Sequence, residues 1–143
     1  QWSQANPKHS FRLYRTAAGL RLLFTDGLYD PTSATVHDLL EGLGSDPLYR
    51  RLTLKQQCFR ARLTPKPWRC GCAYPPHQYP WQKPADEAAF RHWQQAYEEK
   101  SKSFGTCRLV ESLGLLRTWE GPVAAVVAAH DELACGAPER PLA

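Results

Sequence analysis

The sequence has no methionine and no long hydrophobic run, and both absences limit what the chain can be. Its longest strongly apolar stretch, Val123 to Ala129, is far shorter than the roughly 20 residues that a membrane-spanning helix needs. No charged start, apolar centre and small-residue cleavage site opens the chain. We therefore expect a soluble protein without a membrane partner. The start at Gln1 predicts that an initiator or leader precedes the numbered residues.

Motifs for common catalytic and cofactor sites are also missing. There is no phosphate-binding glycine loop and no dinucleotide fingerprint, and no acidic pair stands in a motif for two-metal chemistry. The His130-Asp131 pair resembles part of a metal phosphohydrolase site, but no aspartate follows Asp131 to complete the ligands. A protonated histidine near a helix end favours the helix dipole, so this pair is expected to help end a helix. The sequence predicts no cofactor and leaves any catalytic residue unknown.

Cysteine is present in an odd number and without a repeating framework, which suits a reducing cytoplasm better than a disulfide scaffold. The five residues are Cys58, Cys70, Cys72, Cys107 and Cys135. The Cys70-Gly71-Cys72 triplet and His77 supply three possible zinc ligands, which Cys58 or Cys107 could complete. Paired zinc-binding cysteines usually have at least two residues between them. We therefore predict a cytoplasmic protein that holds no metal at this triplet.

Length and composition indicate one globular domain. The 143 residues are 43% hydrophobic and 22% charged, with a formal net charge of +4. A chain of this size can bury a core without a metal or disulfide. We predict a single domain over residues 1–143, with flexible ends at 1–10 and 137–143. The mild basic excess permits an anionic partner.

Residue patterning predicts four strands and four helices. Alternating apolar and polar residues predict strands at 11–16, 20–25, 58–64 and 107–112. Apolar spacings of three and four, with capping residues before them, predict helices that end at Gly44 and near Gln57, and further helices over 86–102 and 123–135. The expected fold class is α+β, a four-stranded, largely antiparallel sheet with helices on one face. A mixed sheet split by the proline-rich loop at 65–84 is the alternative.

The same alternation predicts a sheet face rich in arginine. Six polar or aromatic residues should point away from the helices: Arg12, Tyr14, Arg21, Arg60, Arg62 and Arg108. Guanidinium groups match phosphate oxygens, and an aromatic ring on a sheet can stack on a base. A solvated face neutralised by glutamates is the plain alternative. A slip of one residue in any strand would exchange its two faces.

A basic segment continues from the third predicted strand into the proline loop. Residues 59–69 read FRARLTPKPWR, which adds Lys66, Trp68 and Arg69 to the candidate ligand-binding residues. Burial of Trp68, or capping of carbonyls by the arginines, could instead staple the loop to the domain. The stretch resembles one carried by a family of bacterial proteins. The resemblance covers mainly this stretch and implies no activity.

These residues lead to one preferred hypothesis and two alternatives. We predict a module that binds nucleic acid, or another phosphate-bearing ligand, on the arginine-rich sheet face and the adjoining proline loop. The first alternative is an enzyme on a small phosphorylated or nucleotide substrate that uses Cys70, Cys72 or His77. The second is a protein-interaction domain anchored by Trp68, Tyr79 and Trp81, because exposed aromatics beside arginine have the composition of binding hot spots.

Overall fold

Three strands pair into one antiparallel sheet in the computed structural model, which describes residues 2–114 and 121–143. The strands are β1 (Phe11–Thr16), β2 (Gly19–Phe24) and β3 (Cys107–Leu113), in the order β2-β1-β3. β1 and β2 form a hairpin in which Tyr14 pairs with Arg21. β3 pairs with the other edge of β1, with an irregularity in register between Leu13 and Tyr14. The central strand therefore contacts both neighbours.

Five α-helices and one 3-10 turn complete the described part of the fold. They are α1 (Trp2–Ala5), α2 (Ala34–Gly42), α3 (Pro47–Gln56), α4 (Pro84–Ser101), α5 (Gly121–Ala134) and the 3-10 turn Pro67–Cys70. Capping explains where two of them begin. The Ser33 hydroxyl accepts a hydrogen bond from the backbone N–H of Val36, and the Asp46 carboxylate accepts one from Tyr49. Each side chain satisfies a backbone donor that the first helical turn leaves unpaired.

The predicted strand at 58–64 does not form, so the described sheet has three strands instead of four. Two side chains, one from β2 and one from the residue before β3, donate hydrogen bonds to backbone carbonyls of this segment. Arg21 of β2 donates to the Arg62 carbonyl at 2.9 Å, and Thr106, directly before β3, donates to the Leu63 carbonyl at 3.1 Å. These carbonyls therefore have hydrogen-bond partners although the segment does not join the sheet. The fold is mixed α and β, with an antiparallel sheet.

Helix α5 packs against one face of the sheet and forms the core there. Tyr14 and Cys107 are fully buried, and Ala134 of α5 is nearly so. Leu23 and Leu63 pack around them. The face of the sheet that carries Tyr14 is therefore the inner face.

Close backbone approach joins the start of β3 to the end of α5. A Cβ atom added at Gly136 would lie 2.7 Å from the Gly105 Cα, so this approach requires glycine. The Thr106 N–H donates to the Ala134 carbonyl at 3.0 Å, and Cys107 and Cys135 form a parallel bridge. The two cysteines are thereby placed side by side.

Both segments predicted as flexible ends make specific contacts. Trp2 packs against Phe11 and Phe24, with ring centroids 5.9 and 6.1 Å away. At the other end, the Ala143 N–H donates to the Gly105 carbonyl at 3.0 Å, and Ala143 is buried. Across residues 2–114 and 121–143, no helix combines the length and hydropathy needed to cross a membrane.

Candidate functional site

Two groups of side chains in the described structure are candidates for a functional site. The first, which we name the buried polar cluster, lies between the sheet and α5 and consists of Arg12, Tyr14, Arg21, Cys107, His130, Asp131 and Cys135. The second, which we name the loop surface, lies on the connection between α3 and α4 and consists of Arg60, Arg62, Lys66, Trp68, Arg69 and Tyr74.

Asp131 is the anionic centre of the buried polar cluster. Its carboxylate accepts hydrogen bonds from Arg12 Nη2 at 2.5 Å and from the Tyr14 hydroxyl at 2.7 Å. Arg12 Nε also donates to the Tyr14 oxygen at 2.7 Å. Burial, together with the bond to Asp131, holds the pKa of Tyr14 well above its usual value. The phenol therefore stays protonated and closes a ring of three hydrogen-bonded side chains.

His130 is a neutral imidazole whose Nε2 lone pair faces Arg21. Arg21 Nη1 lies 2.9 Å from His130 Nε2, and a guanidinium can only donate, so Nε2 accepts. The ring proton is then on Nδ1, which lies 3.1 Å from the Asp131 carboxylate. Burial lowers the pKa of His130 and so favours this neutral form.

Two thiols lie next to the imidazole. Cys107 Sγ is 3.9 Å from His130 Nε2 and 3.8 Å from Cys135 Sγ. Burial raises the pKa of Cys107, and burial with the neighbouring Cys107 raises the pKa of Cys135 to about 12. Thiolate is the nucleophilic form of cysteine, so neither side chain is an activated nucleophile in this environment.

Three residues predicted on the ligand-binding face, Arg12, Tyr14 and Arg21, do share a face, but α5 covers it. Their donors point to Asp131, His130 and the Arg62 carbonyl, and contact of these three residues with a phosphate stays a prediction.

Arg108 does not join that face. Its partner across the sheet is Arg15, the neighbour of Tyr14 in β1, and side chains of paired residues lie on one face of a sheet. Arg108 therefore points away from Tyr14, and it donates to the Arg140 carbonyl at 2.8 Å. Arg60 and Arg62 leave the sheet as well, since segment 58–64 is not a strand.

The loop surface presents a stacked pair of aromatic rings to solvent. The Trp68 and Tyr74 rings have centroids 5.0 Å apart and planes inclined by 28°, and the residues are 46% and 67% exposed. Lys66 Nζ lies 5.2 Å from the centre of the Trp68 ring. Arg60 and Arg62 are exposed in the residues just before them. Basic and aromatic groups thus share one solvent-facing segment.

Helix α4 fixes the backbone of this segment. The Tyr97 hydroxyl donates to the Pro65 carbonyl at 2.6 Å, the Trp93 indole to Ala73 at 2.9 Å, and the Lys100 ammonium to Gly71 at 3.1 Å. The 3-10 turn Pro67–Cys70 lies between these attachments. Because three of its carbonyls accept hydrogen bonds from α4, the loop holds Trp68 and Tyr74 on a backbone of defined conformation.

The remaining loop candidates are not brought together as a site. Cys70 is buried, and burial raises its pKa, whereas His77 pairs with Asp86 at 3.8 Å. In the part of the chain that the structure describes, the group with the spacing of metal ligands is Cys107, His130 and Cys135 instead. Of the proposed protein anchors, Tyr79 is 80% exposed, while Trp81 packs on Phe90 at a centroid distance of 4.8 Å.

Sequence reasoning missed four functional candidates: Tyr74, Cys107 as a partner of α5, Asp131 as an anionic centre, and Cys135. The His130 to Cys135 spacing falls in the range of zinc ligands three to five residues apart, which was a usable signal. Asp131 contacts Arg12 and Tyr14, which lie more than 100 positions away in the sequence, and Cys107 lies 23 and 28 positions from His130 and Cys135. No local pattern encodes such a pairing.

Comparison with protein families, with curated proteins and with solved structures finds no match to this chain. The functional argument therefore rests on the geometry and chemistry of these two groups of residues.

Proposed function

We propose that this protein binds single-stranded nucleic acid on the loop surface. The observation that carries the proposal is the exposed Trp68–Tyr74 stack with Lys66 over it. Aromatic rings on which bases stack, beside cations that follow the phosphates, are the two components of sequence-tolerant single-strand binding.

The stacked rings supply the apolar component. A tryptophan that leaves almost half of its surface in water forgoes part of the favourable free energy of burial. A base stacked on such a ring recovers it, and this contact contributes roughly 1–3 kcal/mol per base. Attachment of the loop to α4 reduces the conformational entropy that binding would otherwise cost.

Four cations supply the electrostatic component: Arg60, Arg62, Lys66 and Arg69. Within the described residues, none of them forms an ion pair with a carboxylate. No acid in the described ranges therefore neutralises their charge, and a phosphate backbone can supply the counter-charge. Arg12, Arg21 and Arg108 are left out of this set because internal acceptors hold them.

The experiment is a fluorescence anisotropy titration of labelled single-stranded RNA and DNA of about 16 nucleotides, the upper end of the site size of a small binding domain. The Trp68→Ala variant should lose roughly 1–3 kcal/mol of binding free energy, or about 5- to 150-fold in affinity. Tyr79→Ala is the matched control, since it removes an exposed aromatic outside the basic segment, and it should bind like the wild type. An unchanged affinity for Trp68→Ala would overturn the proposal.

The titration also separates the alternatives. A ligand as small as a mononucleotide should compete poorly, because it spans only one stacking position. Full competition by a mononucleotide would favour the small-ligand alternative. If the wild type bound no nucleic acid and the Tyr79→Ala variant lost binding to a protein partner, the interaction-domain alternative would be favoured.

A further inference from the structure

Three metal-binding atoms converge inside the buried polar cluster, at a place that the proposed function does not use. Cys107 Sγ lies 3.8 Å from Cys135 Sγ and 3.9 Å from His130 Nε2, and all three atoms lie within 4.8 Å of one another. We propose that Cys107, His130 and Cys135 form a zinc-binding site.

The distances between these atoms approach the edges of a zinc tetrahedron. With Zn–S near 2.3 Å and Zn–N near 2.05 Å, a tetrahedral site has S···S edges of about 3.8 Å and S···N edges of about 3.6 Å. The sulfur pair already has this separation, and the Cys107–His130 pair is about 0.3 Å longer. Cys135 Sγ and His130 Nε2 lie within 4.8 Å, up to about 1.2 Å longer than this edge, so the imidazole and Cys135 must move towards each other to close the three atoms around an ion.

The backbone and the neighbouring side chains hold the ligands in place. The bridge between Cys107 and Cys135 fixes the two cysteines next to each other, and α5 supplies His130 slightly more than one turn earlier. Asp131 accepts a hydrogen bond from Nδ1–H of His130, so the lone pair is on Nε2 and can coordinate once Arg21 moves away from it. A carboxylate behind a histidine ligand is the usual support of a zinc site. Asp131 is therefore a positioning residue and not a ligand.

Charge balance is compatible with a dication despite the two arginines. Zn²⁺ with two thiolates and a neutral imidazole has no net charge, so its binding adds none to the cluster. The thiol protons leave to solvent as the metal binds. Arg21 Nη1, now 2.9 Å from His130 Nε2, gives up this position. It lies 3.8 Å from Cys107 Sγ, where a guanidinium stabilises a thiolate. Its Nη2 keeps the Arg62 carbonyl.

The first test is the metal content of the full chain, purified without a histidine tag and under reducing conditions. Elemental analysis should find about one zinc per chain, and Co²⁺ added to the zinc-depleted protein should give the intense visible bands of tetrahedral thiolate coordination. The Cys107→Ser and Cys135→Ser variants should lose both signals. A matched Cys70→Ser/Cys72→Ser double variant should keep them. Absence of metal from the wild type, or its loss only in the double variant, would overturn the proposal.

The second test needs no variant and so remains valid if Cys107→Ser fails to fold. Wild-type protein is alkylated with and without zinc, and the modified cysteines are identified by mass spectrometry. Half-buried Cys135 should be protected by zinc, whereas half-buried Cys58 should react at the same rate in both samples. Equal protection of the two cysteines, or a Cys107–Cys135 disulfide in reduced and zinc-supplemented protein, would contradict the site.

Discussion

The buried polar cluster contains two arginines and the loop surface three, and the two regions use the guanidinium groups differently. In the cluster, Arg12 and Arg21 direct their donors at Asp131, His130 and a backbone carbonyl. On the loop surface, Arg60 and Arg62 are exposed and no carboxylate among the described residues pairs with them. The first pair is part of the folded structure, and the second is available to a partner.

Because of this difference, we expect Arg12 and Arg21 to contribute to folding stability, and Arg60 and Arg62 to contribute to binding. A charge in a buried cluster interacts strongly with its partner, and removal of the partner leaves an uncompensated charge. An exposed charge without a partner can be removed at almost no cost in folding free energy. Substitutions in the cluster should therefore change stability and leave binding intact, whereas substitutions on the loop surface should do the reverse.

Asp131→Ala should have the largest effect on stability. It removes the carboxylate that accepts from Arg12 and Tyr14 and orients His130, and we expect a loss of about 3 kcal/mol, the lower end for breaking a buried pair, because Asp131 is partly exposed. Urea unfolding measures the loss. Glu87→Ala, which breaks an exposed ion pair with Arg91, is the control and should cost about 0.5 kcal/mol or less. If the folded Asp131→Ala protein lost nucleic-acid binding, the two regions would not be independent.

Tyr14→Phe should have the next largest effect. The hydroxyl donates to Asp131 and accepts from Arg12, and hydrogen bonds to charged groups justify an expected loss of about 2 kcal/mol in the free energy of unfolding. Tyr79→Phe removes a hydroxyl from an 80% exposed residue and should be nearly neutral. If Tyr14→Phe kept full stability but bound nucleic acid more weakly, Tyr14 would belong to the binding surface. That result would contradict the burial of Tyr14 under α5.

Lys66→Gln should have the smallest effect on stability. Its ammonium lies over the Trp68 ring at an exposed site, where such contacts contribute roughly 0.5–1 kcal/mol. Nucleic-acid binding should nevertheless become less dependent on salt, by about 0.7 in the logarithmic slope for one lost phosphate contact. Lys66→Arg keeps the charge and should preserve the slope. An unchanged slope in Lys66→Gln would show that Lys66 does not contact a phosphate.

Local features of the fold could be predicted from the sequence. The β1–β2 hairpin follows from alternation, and the starts of α2 and α3 follow from the capping residues Ser33 and Asp46. These features depend on neighbouring residues, whose chemistry is visible in the sequence. The dense basic segment with Trp68 was visible for the same reason.

Features that depend on distant contacts could not be predicted. Segment 58–64 alternates like a strand, but Arg21 and Thr106 take its carbonyls. The inner face of the sheet contains two arginines because Asp131 and His130 of α5 accept from them, and only the tertiary fold brings α5 there. Alternation identifies residues that share a face but not which face is covered.

The dependence of nucleic-acid binding on salt tests the assignment of binding to the loop surface most directly. Three or four phosphate contacts predict a wild-type slope of about −2 to −3 in the logarithmic plot, at about −0.7 per contact with a single strand. Arg60→Ala/Arg62→Ala should flatten the slope by about 1.4. The matched double variant Arg51→Ala/Lys55→Ala, which removes two exposed cations from α3, should leave it unchanged. Equal flattening in both double variants, or none in the first, would contradict the account.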